Sequence, residues 1–149
     1  MRIKLCLLIG AVGSAITTLL GGWDSGIATL CMCMVIDYMS GLTVAGVFHR
    51  SPKTENGRLE SRAGQKGLSK KLMTLALVAV ATRADLMIGT NYIRDALVIA
   101  FVVNEILSII ENATLMGIKV PDQLEDALEI LMKKANLGGD DDVKEDSNS

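Results

Sequence analysis

Residues 27–48 read IATLCMCMVIDYMSGLTVAGVF, a run of 22 residues in which the one charged side chain is Asp37. About 20 apolar helical residues cross a hydrocarbon core roughly 30 Å thick, so this run predicts a membrane span. Asp37 would then lie near the middle of the membrane, where inserting an acid costs on the order of 2.5 to 3.5 kcal/mol. Such a residue usually faces a partner helix, another charge or water, so Asp37 is the first candidate functional residue.

The whole chain of 149 residues has the same aliphatic character. Half of it is hydrophobic (50%), the mean hydropathy is +0.37, and the aromatic residues are two Phe, two Tyr and one Trp. A soluble domain of this length normally builds its core with more aromatic residues and with alternating polar faces. We therefore expect an all-α integral membrane protein.

Three further apolar runs predict additional spans. Together with the run at residues 27–48, they give four predicted spans within a transmembrane domain of residues 1–118. These spans are residues 5–21, 27–48, 72–89 and 93–112. The third is the weakest, because Arg83 and Asp85 interrupt it; an alternative has three spans, with the Arg83 region at the membrane interface. The run at residues 5–21 also resembles a secretory signal peptide, but the six-residue link to the run at residues 27–48 favours a retained hairpin.

Residues 49–71 form a strongly basic link that we expect to be a cytoplasmic loop. They carry seven Lys and Arg residues against two acids, and short loops rich in Lys and Arg stay in the cytoplasm. With four spans, both termini are then cytoplasmic as well. Anionic lipid headgroups are the expected partners of the link, which lacks the interleaved aromatic residues of a nucleic-acid surface. The predicted headgroup contacts are Arg50, Arg58, Arg62, Lys66, Lys70 and Lys71.

The C-terminal part changes from apolar to acidic. Pro121 suits the first turn of a helix, and apolar residues recur after it at three- and four-residue spacing, which predicts a short amphipathic helix over residues 119–137. Residues 138–149 have almost nothing to bury, so we expect a disordered acidic tail.

Small and polar residues share one face of the second predicted span. Asp37, Gly41 and Ala45 recur every four residues, and small residues at this spacing let two helices approach closely. The pattern is compatible both with packing inside one chain and with assembly between chains.

The last span carries a polar face that lipid does not tolerate. Asn104, Glu105, Ser108 and Asn112 fall within nine residues on or beside one face, with Glu111 next to them, so this face must be covered or wet. With four spans, Arg83 lies at a depth similar to that of Asp37 and Glu105, which predicts a buried charge cluster of these three. Asp85 and Arg94, on either side of a turn at residues 89–91, are predicted to pair near the outer surface.

The chain offers no pattern that indicates an enzyme. It has one His, no nucleophile placed beside a base, no Gly-rich phosphate loop ahead of a lysine and no metal-ligand spacing. We expect no catalytic residues, no cofactor and no bound metal.

Several segments, taken in their order and spacing, resemble one family. They are Asp-Tyr-Met-Ser-Gly at 37–41, Gly-Leu-Ser-Lys-Lys at 67–71, the Asn-Glu-x-Leu-Ser-Ile-x-Glu-Asn pattern at 104–112, and Pro-x-x-Leu at 121–124. Together, over residues 20–137, they resemble the phage lysis holins grouped with the clostridial toxin-secretion holins. The acidic segment at residues 138–149 departs from the basic tails of that family.

The resemblance implies a protein that accumulates in the bacterial cytoplasmic membrane, forms homo-oligomers and opens lesions. An endolysin, or in some members a toxin, leaves the cytoplasm through them. One alternative is a small ion or solute channel or transporter in which Asp37, Arg83 and Glu105 line a selective path. Another is an antiholin, which has a similar sequence but blocks assembly. Release of a folded endolysin separates a large hole from a selective pore.

Overall fold

Four helices make up the regular structure of the part of the chain that can be described. The computed structural model describes residues 2–54, 56–124, 126, 127, 130 and 133. The helices are α1 (Arg2–Leu19), α2 (Ser25–Thr43), α3 (Ser61–Ile88) and α4 (Tyr92–Leu115), and α2 continues into a π-helical turn at Val44–Phe48. The all-α prediction is confirmed for these residues.

Local chemistry sets where the helices begin and end. Asp24 caps α2, because its Oδ1 accepts a hydrogen bond of 2.9 Å from the Ile27 backbone N–H. After the π-helical turn the chain leaves the helix at His49, whose φ of 51° is left-handed. Gly89, with φ 76°, ends α3 by donating its backbone N–H to the Asp85 carbonyl at 2.8 Å. Only two further residues then precede α4, so α3 and α4 form a tight helical hairpin.

α3 extends further toward the N-terminus than hydropathy predicts. It begins at Ser61 rather than at Leu72, so the segment 49–71, predicted to be a loop, is helical over its second half. Hydropathy detects the apolar part of a helix, whereas the polar residues that precede Leu72 extend the same helix without adding to the apolar signal. At about 1.5 Å per residue, the 28 residues of α3 span roughly 42 Å.

The core lies between α2, α3 and α4. α2 packs mainly against α4, and α4 also packs against α3. Ile27, Leu30 and Met34 of α2 meet Val78 of α3 and Val98 of α4 in a buried apolar cluster. α1 has no buried residue and makes only sparse contact with α3, so its apolar surface is exposed.

Within the described residues, two helical segments are long and apolar enough to cross a membrane, namely Arg2–Leu19 and Ser25–Phe48. The predicted helix at 119–137 is described only in part, beginning with a 3.0 Å hydrogen bond from Leu124 N–H to the Pro121 carbonyl. Residues 122–124, 126, 127, 130 and 133 are helical, and the other residues of 125–137, like the tail at 138–149, fall outside the described residues.

Candidate functional site

A lysine of α3 lies between two buried carboxylates, one from α2 and one from α4. Lys71 Nζ is 2.7 Å from Asp37 Oδ2 and also contacts Glu105 Oε2. The Lys71 side chain is 13% exposed, and those of Asp37 and Glu105 are 10% and 9% exposed. Three helices therefore meet at one set of charges. Removing these charges from water costs free energy, and so does removing one partner, because the other charge is then buried without compensation.

An amide extends this set of contacts along α4. Asn112 Nδ2 donates to Asp37 Oδ1 at 3.1 Å and to Ser40 Oγ at 2.9 Å. Both carboxylate oxygens of Asp37 thus have a donor, one from α3 and one from α4. We call Asp37, Lys71, Glu105 and Asn112 the lysine cluster.

The lysine cluster lines a cavity of about 780 Å³ between α2, the segment before α3, α3 and α4. Asn104 and Ser108 line the same cavity, so it contains all four polar residues of the α4 face singled out from the sequence. Apolar residues such as Leu77 and Phe101 also border it. A cavity with both kinds of lining gives the polar face of α4 an environment other than lipid.

A second set of charges lies at the other end of the three-helix core. The Arg94 Nη2 is 2.7 Å from Asp24 Oδ2, its Nη1 is 2.9 Å from Asp95 Oδ1, and its Nε donates to the Leu20 carbonyl at 2.8 Å. Arg94 therefore joins the turn between α1 and α2 to the start of α4. We call Arg94, Asp24, Asp95 and Asp85 the arginine cluster.

Asp85 contributes to the arginine cluster through the backbone. Its carboxylate accepts hydrogen bonds from the Ile93 N–H at 3.1 Å, the Arg94 N–H at 2.7 Å and the Thr90 hydroxyl at 2.6 Å. The first N–H groups of a helix lack partners within it and carry partial positive charge, so a buried carboxylate there is well satisfied. Asp85 and Arg94 are in contact, as the sequence predicts. The contact is a hydrogen bond from the backbone N–H of Arg94 to the Asp85 carboxylate.

Asp24 is a partly solvated carboxylate of the arginine cluster, with its side chain 47% exposed. Partial burial by itself raises the pKa of Asp24, but the hydrogen bond from the Ile27 N–H and the Arg94 guanidinium outweigh it and hold the pKa below 3.8. Asp24 is therefore ionised at neutral pH while it caps α2.

Two sequence predictions about charge placement are wrong. Asp37 was expected to face Arg83, but its partner is Lys71, and the Arg83 side chain is exposed. Twelve residues separate Lys71 from Arg83, which at 100° per residue and 1.5 Å per residue places Arg83 on another face and roughly 18 Å further along α3. Lys71 is predicted to lie at lipid headgroups, and it is instead half-buried between two carboxylates.

The remaining predicted residues are placed as follows. Gly41 faces α4, since a Cβ at that position would lie 3.7 Å from Asn112 Nδ2, and Ala45 is buried beside it. The small-residue face of α2 thus packs within the chain. Asn104 is exposed where it lines the cavity, and Ser108 is half-buried. The other predicted headgroup residues, Arg50, Arg58, Arg62, Lys66 and Lys70, are exposed.

Sequence reasoning missed the roles of Lys71, Asp24 and Leu20. A signal for Lys71 was present, because it directly precedes the apolar part of α3 and is the last of a pair of lysines, which point about 100° apart on a helix. The two lysines therefore do not lie at the centre of the same face, and one of them is nearer the core. The contact of Arg94 with the Leu20 carbonyl joins residues 74 positions apart and had no local signal.

Comparison with known proteins identifies relatives along almost the whole chain. The sequence profile of the bacteriophage holin family matches residues 14–133. An uncharacterised protein of Listeria innocua is 37% identical over 147 residues, covering 98% of this chain and 97% of the relative. An uncharacterised protein of Clostridium perfringens is 30% identical over 139 residues, covering 91% and 97%. A probable holin of Bacillus phage phi105 is 30% identical over 98 residues, covering 65% and 67%. No solved structure matches the chain.

Proposed function

Because the chain belongs to the bacteriophage holin family, we propose that it oligomerises in the bacterial cytoplasmic membrane and opens lesions that release an endolysin. Family membership itself indicates a membrane protein with a holin-like, non-enzymatic role. The formation of lesions, their cargo and the oligomer are the proposed part. The proposal also places α2, α3 and α4 across the membrane, with α1 as a fourth span.

The observation that carries the proposal is the separation of the two charge clusters along the helices. The two clusters are 13 residues apart along α2, from Asp24 to Asp37. They are 14 residues apart along α3, from Lys71 to Asp85, and 11 residues apart along α4, from Arg94 to Glu105. At 1.5 Å per residue these correspond to about 16 to 21 Å. A hydrocarbon core is about 30 Å thick, so helices that cross it cannot keep both clusters outside it.

Charges at that depth stabilise one helix arrangement only while their partners stay in place. Lys71 holds α3 against both α2 and α4 through two ion pairs. When α3 separates from the other two helices, Asp37, Glu105 and the α4 polar face require water or polar groups of other subunits. When α3 separates, the monomer therefore becomes a subunit that exposes the α4 polar face. That face is more stable against the water of a lesion than against lipid.

The proposed topology has both termini in the cytoplasm. The basic segment before the apolar part of α3 is on the cytoplasmic side, because short segments rich in Lys and Arg are retained there. The arginine cluster then lies toward the outer surface, at the two helix turns. Reporter fusions at residue 149 are expected to work for a cytoplasmic reporter and to fail for one that requires export.

The direct test is to induce the chain in a bacterium with and without a cytoplasmic endolysin. We expect rapid loss of turbidity with the endolysin, and loss of membrane potential with little loss of turbidity without it. Lys119→Met, which changes an exposed lysine outside the cavity, serves as the control variant and Lys71→Met as the test variant at matched protein levels. We expect Lys71→Met to change the onset of lysis and Lys119→Met to leave it near the wild-type time. Endolysin that stays inside depolarised cells would contradict the proposal.

A selective channel is the second candidate, favoured by the charged residues along the 780 Å³ cavity. In that case the membrane potential would fall while folded endolysin and large dyes stayed inside. Graded ion selectivity that changes in Asn104 or Ser108 variants would support this candidate against a lesion.

A further inference from the structure

Four exposed basic side chains lie before and along the first part of α3. Arg62, Lys66 and Lys70 follow one another at four-residue spacing on the helix, and Arg58 precedes them at the same spacing in the sequence. All four side chains are exposed. Residues at i and i+4 share a face, so Arg62, Lys66 and Lys70 present one positive surface about 12 Å long. We call these four residues the basic stripe.

The end of α4 lies close to this part of the molecule. The Arg50 Nη1 donates to the carbonyl of Leu115, the last residue of α4, at 3.5 Å. Arg50 belongs to the segment that leads from α2 to the basic stripe. The chain that follows α4 therefore starts on the same side of the core as the basic stripe, whatever the number of membrane spans.

The chain that follows α4 ends in a segment of opposite charge. Residues 140–146 read DDDVKED, with five acids and one lysine. Twenty-four residues lie between Leu115 and Asp140, and a chain of that length reaches up to roughly 80 Å when extended. The reach far exceeds the length of the basic stripe, so geometry permits the contact.

We propose that residues 140–146 bind the basic stripe of their own chain, covering Arg58, Arg62, Lys66 and Lys70. A tethered segment acts at an effective concentration in the millimolar range, which gives it an advantage over free anions. The anionic inner surface of a bacterial membrane repels the five acids, whereas the basic stripe attracts them. This contact ties the C-terminal segment to α3, the helix that Lys71 holds in the core, and it does not depend on lesion formation.

Zero-length carbodiimide coupling of the purified full chain in zwitterionic nanodiscs tests the contact. The reagent joins lysine amines to carboxylates that touch them, and peptide mass spectrometry locates the links. We expect Lys66 and Lys70 to couple to residues 140–146, with at least a threefold loss when the salt concentration rises from 50 to 500 mM. Absence of these links while Lys144 couples to its acidic neighbours would overturn the proposal.

Arginine variants separate electrostatic binding from chance proximity, because carbodiimide does not couple arginine. Arg58→Gln with Arg62→Gln is expected to lower the yield of the Lys66 and Lys70 links several-fold. Arg83→Gln, an exposed arginine near the other end of α3, is the matched control and should leave the yield unchanged. Equal yields in both variants would show that the basic stripe does not attract the segment.

Two further measurements identify the occupant. In a mixture of isotopically light and heavy chains, links should stay within chains of one label; mixed links would assign the stripe to the tail of a second copy. In nanodiscs with anionic phosphatidylglycerol, the links should persist. Their loss there, with full yield in zwitterionic lipid, would assign the stripe to lipid headgroups and overturn the proposal.

Discussion

Helix α1 is apolar and exposed, whereas helix α4 carries more charge and buries part of it. α1 has no charged residue after Lys4 and buries none of its side chains, whereas α4 carries four charged residues and buries two of them, Arg94 and Glu105. In water this relation would be reversed, because apolar side chains are the ones that folding removes from solvent. The difference supports the proposal that lipid surrounds these helices, because lipid accepts an apolar helix surface and leaves polar contacts and close packing to hold α2, α3 and α4 together.

The largest effect should come from removing the cation of the lysine cluster. Lys71→Met leaves Asp37 and Glu105 buried without a counter-charge, at a typical cost of about 3 to 5 kcal/mol in the free energy of unfolding. Lys70→Met removes the same charge from an exposed neighbour and should change stability by less than about 0.5 kcal/mol. Unfolding in mixed detergent micelles, followed by circular dichroism, measures both; equal losses would mean that the lysine cluster is unimportant for packing.

A double-mutant cycle sharpens this result. If Lys71 and Asp37 interact directly, Lys71→Met combined with Asp37→Asn should be less destabilising than the sum of the single changes, by about 0.5 to 3 kcal/mol. Asp37→Asn combined with Arg83→Met should be additive, because Arg83 is exposed. Coupling to Arg83 instead of Lys71 would contradict the observed arrangement.

A smaller effect is expected from truncating an apolar residue of the core. Leu30 is fully buried (0% exposed) and Leu8 of α1 is 62% exposed. Leu30→Ala should cost about 2 kcal/mol, near the low end for buried leucines, because detergent or lipid replaces water outside the core. Leu8→Ala should be close to neutral in the same unfolding measurement. A comparable loss at Leu8 would show that α1 packs against protein and would remove the contrast between the two regions.

Glycine substitutions extend the comparison to the turn after α1. Gly21 has φ +84°, and a Cβ there would lie 2.8 Å from Arg94 Nε and 3.1 Å from Thr82 Cγ2. Gly21→Ala should therefore destabilise the chain by about 1 to 2 kcal/mol through backbone strain and displacement of Arg94. Gly13→Ala, with nothing within 4 Å, should be neutral or slightly stabilising in the same assay. A neutral Gly21→Ala would mean that Arg94 does not fasten this turn.

The smallest effect concerns the cap of α2. Asp24→Ala removes the hydrogen bond to the Ile27 N–H and should cost about 1 kcal/mol, whereas Asp24→Asn keeps a capping oxygen and should cost less. Because the pKa of Asp24 is held below 3.8, its charged form stabilises the fold above that pH, and this contribution is lost as the pH falls through the lower value. The difference between wild type and Asp24→Asn should therefore shrink in acid; a constant difference from pH 6 to pH 2 would exclude a role for the charge.

The sequence alone determined the class of the protein and the residues that needed an explanation. Run lengths and composition predicted an all-α membrane protein, and the rule that lipid does not solvate polar groups pointed to Asp37, Glu105 and Asn112. Each of these is a property of one helix, since periodicity and hydropathy are read along a single segment. The resemblance of segments over residues 20–137 likewise pointed to the holin family. The profile match over residues 14–133 confirms that the chain belongs to it.

Only the tertiary structure decided which charges meet. The choice of Lys71 over Arg83 depends on where α3 begins and how it is rotated against α2 and α4, and hydropathy determines neither. The contact of Arg94 with the Leu20 carbonyl depends in the same way on the approach of two turns that are distant in the sequence. Pairing energies depend on distances of a few ångströms between helices, and those distances are set by packing of the whole three-helix core.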